Sequence, residues 1–262
     1  MTRPLTAWPV PLATFVSTLV TTAAVFIGYG FLSGTSMVKA AQGILSADAS
    51  YFAPALTAFD TWGFLHLMLL VYAVWQLTPA ARRSSVQEEI RPRAITAFAL
   101  HAVWVWAFQL EALWVSLFSS VATLLTLLSI MRIVRTESRA WHTLLSCHCT
   151  FGAYLGWTLV EVPITLFQLW SYQSLALAHS EWCAAAAITL LTATSMGLSY
   201  LNRGRLVPAI FTAWPVGAIA AARLTGTHES LGLVALASMA TLAILASPVV
   251  IRLAHLTLPP AR

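Results

Sequence analysis

Residues 113–131 read LWVSLFSSVATLLTLLSIM and contain no charged side chain. An α-helix needs about 20 mostly apolar residues to cross the hydrocarbon core of a bilayer, so this stretch is long enough to span a membrane. Seven further apolar runs lie on either side of it, and the one at 207–222 is the shortest. The runs cover residues 11–32, 62–78, 94–110, 150–171, 183–200, 207–222 and 231–251. The sequence therefore predicts an all-α, polytopic membrane bundle of about eight transmembrane helices.

The composition supports a membrane protein. Hydrophobic residues make up 59% of the 262 residues and charged residues only 9%, which is too little polar surface for a water-soluble domain. The formal net charge is +5, but the arginines fall in short turns beside the apolar runs, where membrane orientation explains them. The lipid bilayer is therefore the expected partner, and nucleic acid is not.

The basic residues also predict an orientation. Cytoplasmic loops of membrane proteins carry an excess of Lys and Arg. With eight spans and a cytoplasmic N-terminus, only Lys39 and Arg223 fall outside. The other twelve fall inside: Arg3, Arg82, Arg83, Arg91, Arg93, Arg132, Arg135, Arg139, Arg203, Arg205, Arg252 and Arg262. Both termini are therefore expected to be cytoplasmic.

The segments between the runs predict parts of the packing. The segment 78–93 contains prolines, arginines and glutamates and is expected to be a polar, solvated turn. The runs at 94–110 and 113–131 are separated by a very short turn near Glu111, so they should form an antiparallel hairpin.

Two pairs of glycines at four-residue spacing predict close approach of helix backbones. They are Gly30 with Gly34 and Gly152 with Gly156. Packing within the bundle is one interpretation of both pairs, and a homodimer through either pair is the other.

The run at 150–171 carries a polar and aromatic stripe. Steps of three or four residues from Tyr154 reach Trp157, Glu161, Thr165 and Gln168, so these side chains lie on one helical face. Glu161 is the only carboxylate well inside an apolar run, where a charge costs several kcal/mol unless it is paired, protonated or hydrated. It should face the interior, within reach of a histidine. Either it stabilises the bundle as a protonated hydrogen-bonding group, or it binds a ligand or a proton.

Two other runs carry polar and aromatic residues at helical spacing. Trp62 and His66 lie on one face of the second helix, and His101, Trp104 and Phe108 lie on one face of the third. If these faces converge with the stripe on the fifth helix, they line a cavity suited to a flat, amphipathic ligand. A single histidine in such a position is more often a hydrogen-bonded contact between helices than a ligand group, so the site depends on the convergence of these faces. No metal site is expected, because the neighbouring side chains of the run Cys147-His148-Cys149 point in different directions on a helix.

Three short motifs resemble a known family. Residues 59–66 (FDTWGFLH), 99–104 (ALHAVW) and 154–157 (YLGW) are similar to signatures of the second, third and fifth helices of the tryptophan-rich sensory proteins, the TspO/MBR (translocator protein) group with its longer bacterial forms. The resemblance covers about residues 10–170. It implies a five-helix core at 1–171, a three-helix extension at 172–262, and a bacterial inner (plasma) membrane location.

The resemblance also implies a function. Members of the group bind porphyrins, sterols and related hydrophobic molecules in the five-helix bundle, which points to a pocket lined by Trp62, Trp104, Tyr154 and Trp157. This chain departs from the family pattern at three positions: His66 replaces a tyrosine, His101 replaces an asparagine, and Glu161 replaces a small apolar residue. The resemblance therefore implies a more polar pocket.

Three functions are compatible with these residues. The first is a non-enzymatic sensor or carrier that binds a planar hydrophobic ligand, a porphyrin or haem-like molecule, with no other cofactor required. The second is a small secondary transporter in which Glu161 and the histidines relay protons, although no internal repeat supports it. The third is a membrane enzyme, for which no motif supplies a nucleophile or a metal. A retinal protein is excluded, because Lys39, the only lysine, lies in or beside a loop.

Overall fold

The computed structural model describes residues 6–30, 39–135 and 140–257. Within these residues the regular structure is helical, with no β-strand. The α-helices are α1 (Pro9–Gly28), α2 (Thr61–Trp75), α3 (Pro79–Arg83), α4 (Ser85–Gln109), α5 (Leu113–Val134), α6 (Trp141–Thr143), α7 (Thr150–Tyr172), α8 (Glu181–Leu201), α9 (Leu206–Ala222) and α10 (Leu231–Thr257). A π-helical turn, Leu144–Cys149, joins α6 to α7, and short 3-10 turns lie at Ala40–Gly43, Leu56–Asp60 and Ala176–His179.

Each of the eight predicted apolar runs overlaps a long helix. Among the described residues, five helical segments are both long and apolar enough to cross a membrane: Pro9–Gly28, Leu56–Trp75, Leu113–Val134, Glu181–Leu201 and Leu231–Ala254. The helix Leu206–Ala222 is apolar but shorter, as the sequence indicated for that run. The prediction of an all-α membrane helical bundle is confirmed. Arg3, Arg139, Arg262 and Gly34, which entered the sequence arguments, lie outside the described residues.

The chain packs into two compact units. Unit 1 contains residues 1–42 and 61–155, and unit 2 contains residues 43–60 and 156–262. The predicted division into a five-helix core and a three-helix extension at residue 171 stays a prediction.

In unit 1, α4 and α5 form the hairpin that the sequence predicted. The turn between them places Glu111 at a positive φ of 58°, and the Ala112 amide donates to the Ala107 carbonyl at 2.8 Å. Farther along the hairpin, the Ser116 hydroxyl donates to the Trp104 carbonyl at 3.0 Å. This contact fixes the register of α5 against the part of α4 that carries His101 and Trp104.

The segment 78–93 is not the solvated turn that its composition suggested. Two N-caps start helices there instead: the Thr78 hydroxyl accepts from the Ala81 amide at 3.4 Å, and the Ser84 hydroxyl accepts from the Gln87 amide at 3.2 Å. A side-chain oxygen at this position satisfies an amide that the first helical turn leaves unpaired. Helix α4 therefore begins at Ser85, nine residues before the predicted apolar run.

The early start of α4 buries Arg91 completely. Its Nε donates to Gln76 Oε1 at 2.7 Å, and its Nη2 donates to the Ala81 carbonyl at 2.8 Å. The Gln76 amide in turn donates to Gln87 Oε1 at 2.7 Å. These bonds tie the chain that follows α2 to α3 and α4, so the expectation that Arg91 lies in a solvated turn is wrong.

In unit 2, α7 and α9 approach each other at Gly156. A Cβ built on this glycine would lie 2.2 Å from the Pro208 carbonyl oxygen, and the Thr212 hydroxyl donates to the Gly156 carbonyl at 3.0 Å. The glycine therefore serves helix packing within the chain, which is the first of the two interpretations of the Gly152 and Gly156 pair. A homodimer stays a prediction.

Candidate ligand site

Six ring-bearing residues of unit 1 form one buried group, called here the unit 1 cluster. They are Tyr29 at the end of α1, Trp62 and His66 on α2, His101 and Trp104 on α4, and Tyr154 on α7. The spacings of four residues on α2 and three on α4 put each pair on one helical face. The predicted convergence of the faces of the second and third helices is therefore present within this unit.

Trp62 contacts two other rings of the cluster. Its indole stacks on Tyr29, with centroids 4.1 Å apart and planes 9° apart. It meets Trp104 edge to face, with centroids 6.0 Å apart and an interplanar angle of 84°. Offset stacking and edge-to-face packing are the favoured arrangements of aromatic pairs. The two tryptophans are therefore in direct ring contact.

The two histidines lie next to each other in this cluster. Their ring centroids are 5.8 Å apart, and their exposed fractions are 2% for His66 and 1% for His101. His66 Nδ1 lies 2.8 Å from the Trp62 carbonyl, which can only accept, so Nδ1 carries the proton. His66 Nε2 is then an acceptor, and it is buried without a hydrogen-bond partner among the described residues.

His101 and Tyr154 link α4 to the neighbouring helices. His101 Nε2 is 3.4 Å from the Tyr29 hydroxyl, and its ring stacks on Trp104 with centroids 5.7 Å apart. The Tyr154 hydroxyl donates to the Ala97 carbonyl at 3.1 Å, while its ring meets His101 edge to face at 5.7 Å. Phe108 is fully buried and packs on Trp104 with centroids 6.0 Å apart, so it lies one ring farther along α4.

The remaining two predicted site residues belong to unit 2. Trp157 Nε1 donates to Glu161 Oε2 at 2.8 Å, and each residue exposes only 1% of its surface. The ring of Phe59 meets Trp157 edge to face at 5.9 Å. Glu161 therefore lies in the interior, as the cost of a lipid-facing carboxyl requires. It stays a prediction that Glu161 lies within reach of His66 or His101. It also stays a prediction that all the named residues line one cavity.

Sequence reasoning missed Tyr29 and Phe26. Tyr29 stacks on Trp62, and Phe26 meets His66 edge to face with centroids 5.4 Å apart. The two residues are three apart, which places them on one face of the first helix. That spacing was readable from the sequence, but the first run contains no charged group or histidine to single it out.

The chemistry available at the unit 1 cluster is recognition by rings and hydrogen bonds. Tryptophan and tyrosine faces suit flat apolar molecules, and a buried imidazole acceptor suits a ligand that carries an N–H or O–H group. Within the described residues, no three His, Cys, Asp or Glu side chains come together where they could hold a metal ion.

A family model described as TSPO-like protein matches residues 12–248 of the chain. This match covers both units. The search of curated proteins gave no match, and neither did the search of solved structures.

Proposed function

The chain belongs to the TSPO-like protein family, and from that premise we propose that it is a non-enzymatic sensor or carrier for a planar hydrophobic ligand. It is a membrane protein of the TspO kind. The proposed ligand class is the tetrapyrroles, and the proposed site is the unit 1 cluster. The observation that carries the proposal is the buried set of stacked and edge-on rings around Trp62 and Trp104.

The polar groups of the cluster make the proposal specific. A purely structural aromatic cluster gains nothing from burying an imidazole acceptor without a partner, because desolvating an unpaired polar group costs about 1–3 kcal/mol. His66 Nε2 is such an acceptor. A protonated carboxyl side group of a tetrapyrrole could donate to it, and such a bond would account for a histidine at the position where the resemblance implies a tyrosine.

Ligand entry requires the rings to separate. Trp62 contacts both Tyr29 and Trp104, so a flat ligand would replace the contacts that these rings make with one another. Each contact between two aromatic rings contributes only about 0.5–1.5 kcal/mol beyond the burial of area. Stacking of the Trp62 and Trp104 rings on a ligand of larger area therefore compensates for the ring contacts that are lost.

The proposed setting is a bacterial inner membrane with both termini in the cytoplasm. The positive-inside distribution of the arginines supports this orientation. Trp157 and Glu161 of unit 2 are proposed as further ligand-binding residues that supply an indole and a carboxyl group. Their mutual hydrogen bond holds the indole at a fixed angle, as a ligand-contacting ring requires.

Titration of the purified protein with protoporphyrin, followed by quenching of tryptophan fluorescence, tests the proposal. Trp104→Leu removes a ring that is 99% buried and should weaken binding about tenfold or more, equivalent to about 1.4 kcal/mol. Trp104→Phe keeps a ring and should lose less. The matched control is Trp182→Leu, because Trp182 is 86% exposed and should leave the affinity unchanged.

Two further results decide between the functions. His66→Phe keeps an aromatic ring and removes the acceptor, so a lost affinity identifies His66 as a ligand contact and a retained affinity identifies it as packing. Thermal unfolding of each variant separates lost binding from lost fold. If the parent protein binds no porphyrin, the sensor proposal fails, and proton-coupled transport through the histidines and Glu161 becomes the better hypothesis.

A further inference from the structure

Unit 2 contains a second pair of histidines, separate from the unit 1 cluster and called here the unit 2 histidine pair. His179 ends the 3-10 turn Ala176–His179 that precedes α8, and His228 lies in the connection between α9 and α10. His179 Nδ1 and His228 Nε2 are 3.0 Å apart. Both residues belong to unit 2, so an inference from this pair goes beyond the proposed function and does not rest on it.

The two rings point these nitrogens at each other. The ring centroids are 5.2 Å apart and the planes differ by 14°. Because the centroids lie farther apart than the facing nitrogens, the rings are arranged end to end. A neutral imidazole has one donor nitrogen and one acceptor nitrogen, whereas a protonated imidazole has two donors. The hydrogen bond therefore requires that one of the two facing nitrogens carries no proton.

This hydrogen bond joins the starts of two helices. The Ser180 hydroxyl caps the first turn of α8, and the Ser230 hydroxyl accepts from an amide of the first turn of α10 at 3.1 Å. His179 directly precedes the first of these residues, and His228 lies two residues before the second. Because a positive charge is unfavourable near the N-terminus of a helix, both helix starts oppose double protonation of the pair.

The two histidines differ in their surroundings. His179 is exposed, whereas His228 is buried and meets the Tyr51 ring edge to face, with centroids 4.7 Å apart. Burial is the main cause that lowers the pKa of His228, followed by the charges of Arg223 and His179, while the Asp48 carboxylate acts in the opposite direction. Protonation of His228 therefore needs a pH below about 6.5, the ordinary value for histidine.

The two sides of the pair are not held equally. On the side of His228, the Thr227 amide and hydroxyl each donate to Asp48 Oδ1 at 3.1 Å. On the side of the turn, the Ala178 carbonyl accepts from the Tyr51 amide at 3.3 Å, and the histidine itself is exposed. The turn is therefore the side that separates when the bond between the rings is lost.

We propose that the unit 2 histidine pair is a proton-controlled latch that releases the turn Ala176–His179 when both rings are protonated. With one added proton the hydrogen bond remains and becomes charge-assisted. A second proton leaves two donor nitrogens facing each other and two positive charges that repel. The turn then separates from the connection between α9 and α10. Acid thus opens this end of unit 2.

Spin-label electron paramagnetic resonance of the full chain in lipid nanodiscs tests the proposal. The label is placed at Leu177, which is 46% exposed on the turn, in a variant without native cysteines. We expect an immobile spectrum at about pH 7.5 and a mobile component that grows as the pH falls below about 6.5. A label at Leu190 of α8 should give the same spectrum throughout. If the Leu177 spectrum does not change down to about pH 4.5 while circular dichroism shows a folded protein, the proposal is overturned.

Two substitutions of His179 separate protonation from packing. His179→Gln supplies both a donor and an acceptor, so it can bond to His228 in either protonation state and should keep the turn immobile at both pH values. His179→Leu supplies neither and should leave the turn mobile at both. A response to acid in His179→Gln equal to that of the parent would overturn the proposal, and this result is decisive even if His179→Leu fails to fold.

Substitutions of two neighbouring carboxylates identify the group that titrates. Asp48→Asn keeps an acceptor for Thr227 but removes a charge that favours protonated His228, so release should move to lower pH by up to about one unit. An opposite shift would contradict the latch. Glu181→Gln removes a carboxyl that accepts from the Ser230 hydroxyl and should leave release unchanged. If Glu181→Gln abolishes the response, the carboxyl is the switch and the proposal is overturned.

The remaining histidines provide the last controls. His142 belongs to unit 1, so His142→Gln should respond to acid as the parent does. Exposed Glu229, which follows His228, is tested in the same way by Glu229→Gln. If either variant abolishes the response, the proposal is overturned. Porphyrin binding by His179→Gln at neutral pH should equal that of the parent, so failure of the latch and failure of the proposed function are distinguishable.

Discussion

The substitution Gly156→Ala tests the tightest helix contact of unit 2. The added methyl carbon would lie 2.2 Å from the Pro208 carbonyl oxygen and 2.9 Å from Phe211 Cβ. Ordinary contacts between carbon and a carbonyl oxygen are about 3.3–3.6 Å, so α7 and α9 must separate locally by about 1 Å. Because Pro208 presents backbone at this point, no side-chain rotation relieves the overlap.

Gly156→Ala changes the free energy of unfolding through two destabilising effects and one stabilising effect. Overpacking of this kind costs about 1–3 kcal/mol. Separation also lengthens the 3.0 Å bond from the Thr212 hydroxyl to the Gly156 carbonyl, whose loss costs about 1 kcal/mol. Alanine favours the helix over glycine by about 1 kcal/mol. The net expectation is a decrease of about 1–3 kcal/mol in the free energy of unfolding.

The assay is unfolding in mixed detergent micelles, followed by tryptophan fluorescence. Gly197→Ala is the matched control, because a methyl group at 197 meets nothing within 4 Å and should stabilise the protein by up to about 1 kcal/mol. Thr212→Val removes, without adding bulk, a hydroxyl that lies 3.0 Å from both the Gly156 carbonyl and the Pro208 carbonyl of its own helix, and it measures the joint contribution of these two contacts. If Gly156→Ala is as stable as Gly197→Ala, the close approach of α7 and α9 is refuted.

Three further predictions concern the interior carboxyl group, a loop histidine and the orientation. Glu161→Gln keeps an acceptor for the Trp157 indole and should retain the fold. Glu161→Leu removes that acceptor and should lower the free energy of unfolding by about 1–3 kcal/mol. Equal losses of stability in the two variants would contradict the hydrogen bond between Trp157 and Glu161. Burial is the main cause that lowers the pKa of His228, and neighbouring positive charges are the second. As the pH falls below about 6.5, His228 therefore binds a proton more readily in the unfolded chain than in the folded protein. Stability should therefore decline below this pH more steeply in the parent than in His228→Asn, and identical slopes in unfolding experiments would contradict this reasoning. In intact cells of a variant without native cysteines, an impermeant thiol reagent should label Ser174→Cys and miss Ser84→Cys, and the reverse pattern would invert the orientation.

The helices and the local faces of the site could be predicted from the sequence because both depend on short-range periodicity. Trp62 with His66 and His101 with Trp104 lie three or four residues apart, so any helix places each pair on one face. The contact of these two faces is a tertiary event that periodicity cannot specify. It depends on which helices pack, and Tyr29, whose ring covers Trp62, carried no signal beyond its aromatic character.

The composition of the segment 78–93 predicted a solvated turn where the structure has the start of two helices. Proline, arginine and glutamate are typical of solvated turns, but proline is also favoured in the first turn of a helix, where its missing amide has no partner to lose. Pro79 occupies that position in α3, following the Thr78 cap. Pro92 lies in the second turn of α4, where it bends or weakens the helix without ending it.

The burial of Arg91 also bears on the predicted orientation in the membrane. The positive-inside count treats twelve arginines as equal, on the premise that each is solvated or faces lipid headgroups. Arg91 is fully buried and donates to Gln76 and to the Ala81 carbonyl, so its position is explained by the bonds that it makes within unit 1. These hydrogen bonds would form on either side of the membrane, so Arg91 does not indicate which side the segment faces. The evidence for a cytoplasmic location of this segment therefore comes from neighbours such as Arg83, which is exposed, and Arg93, which is half-buried.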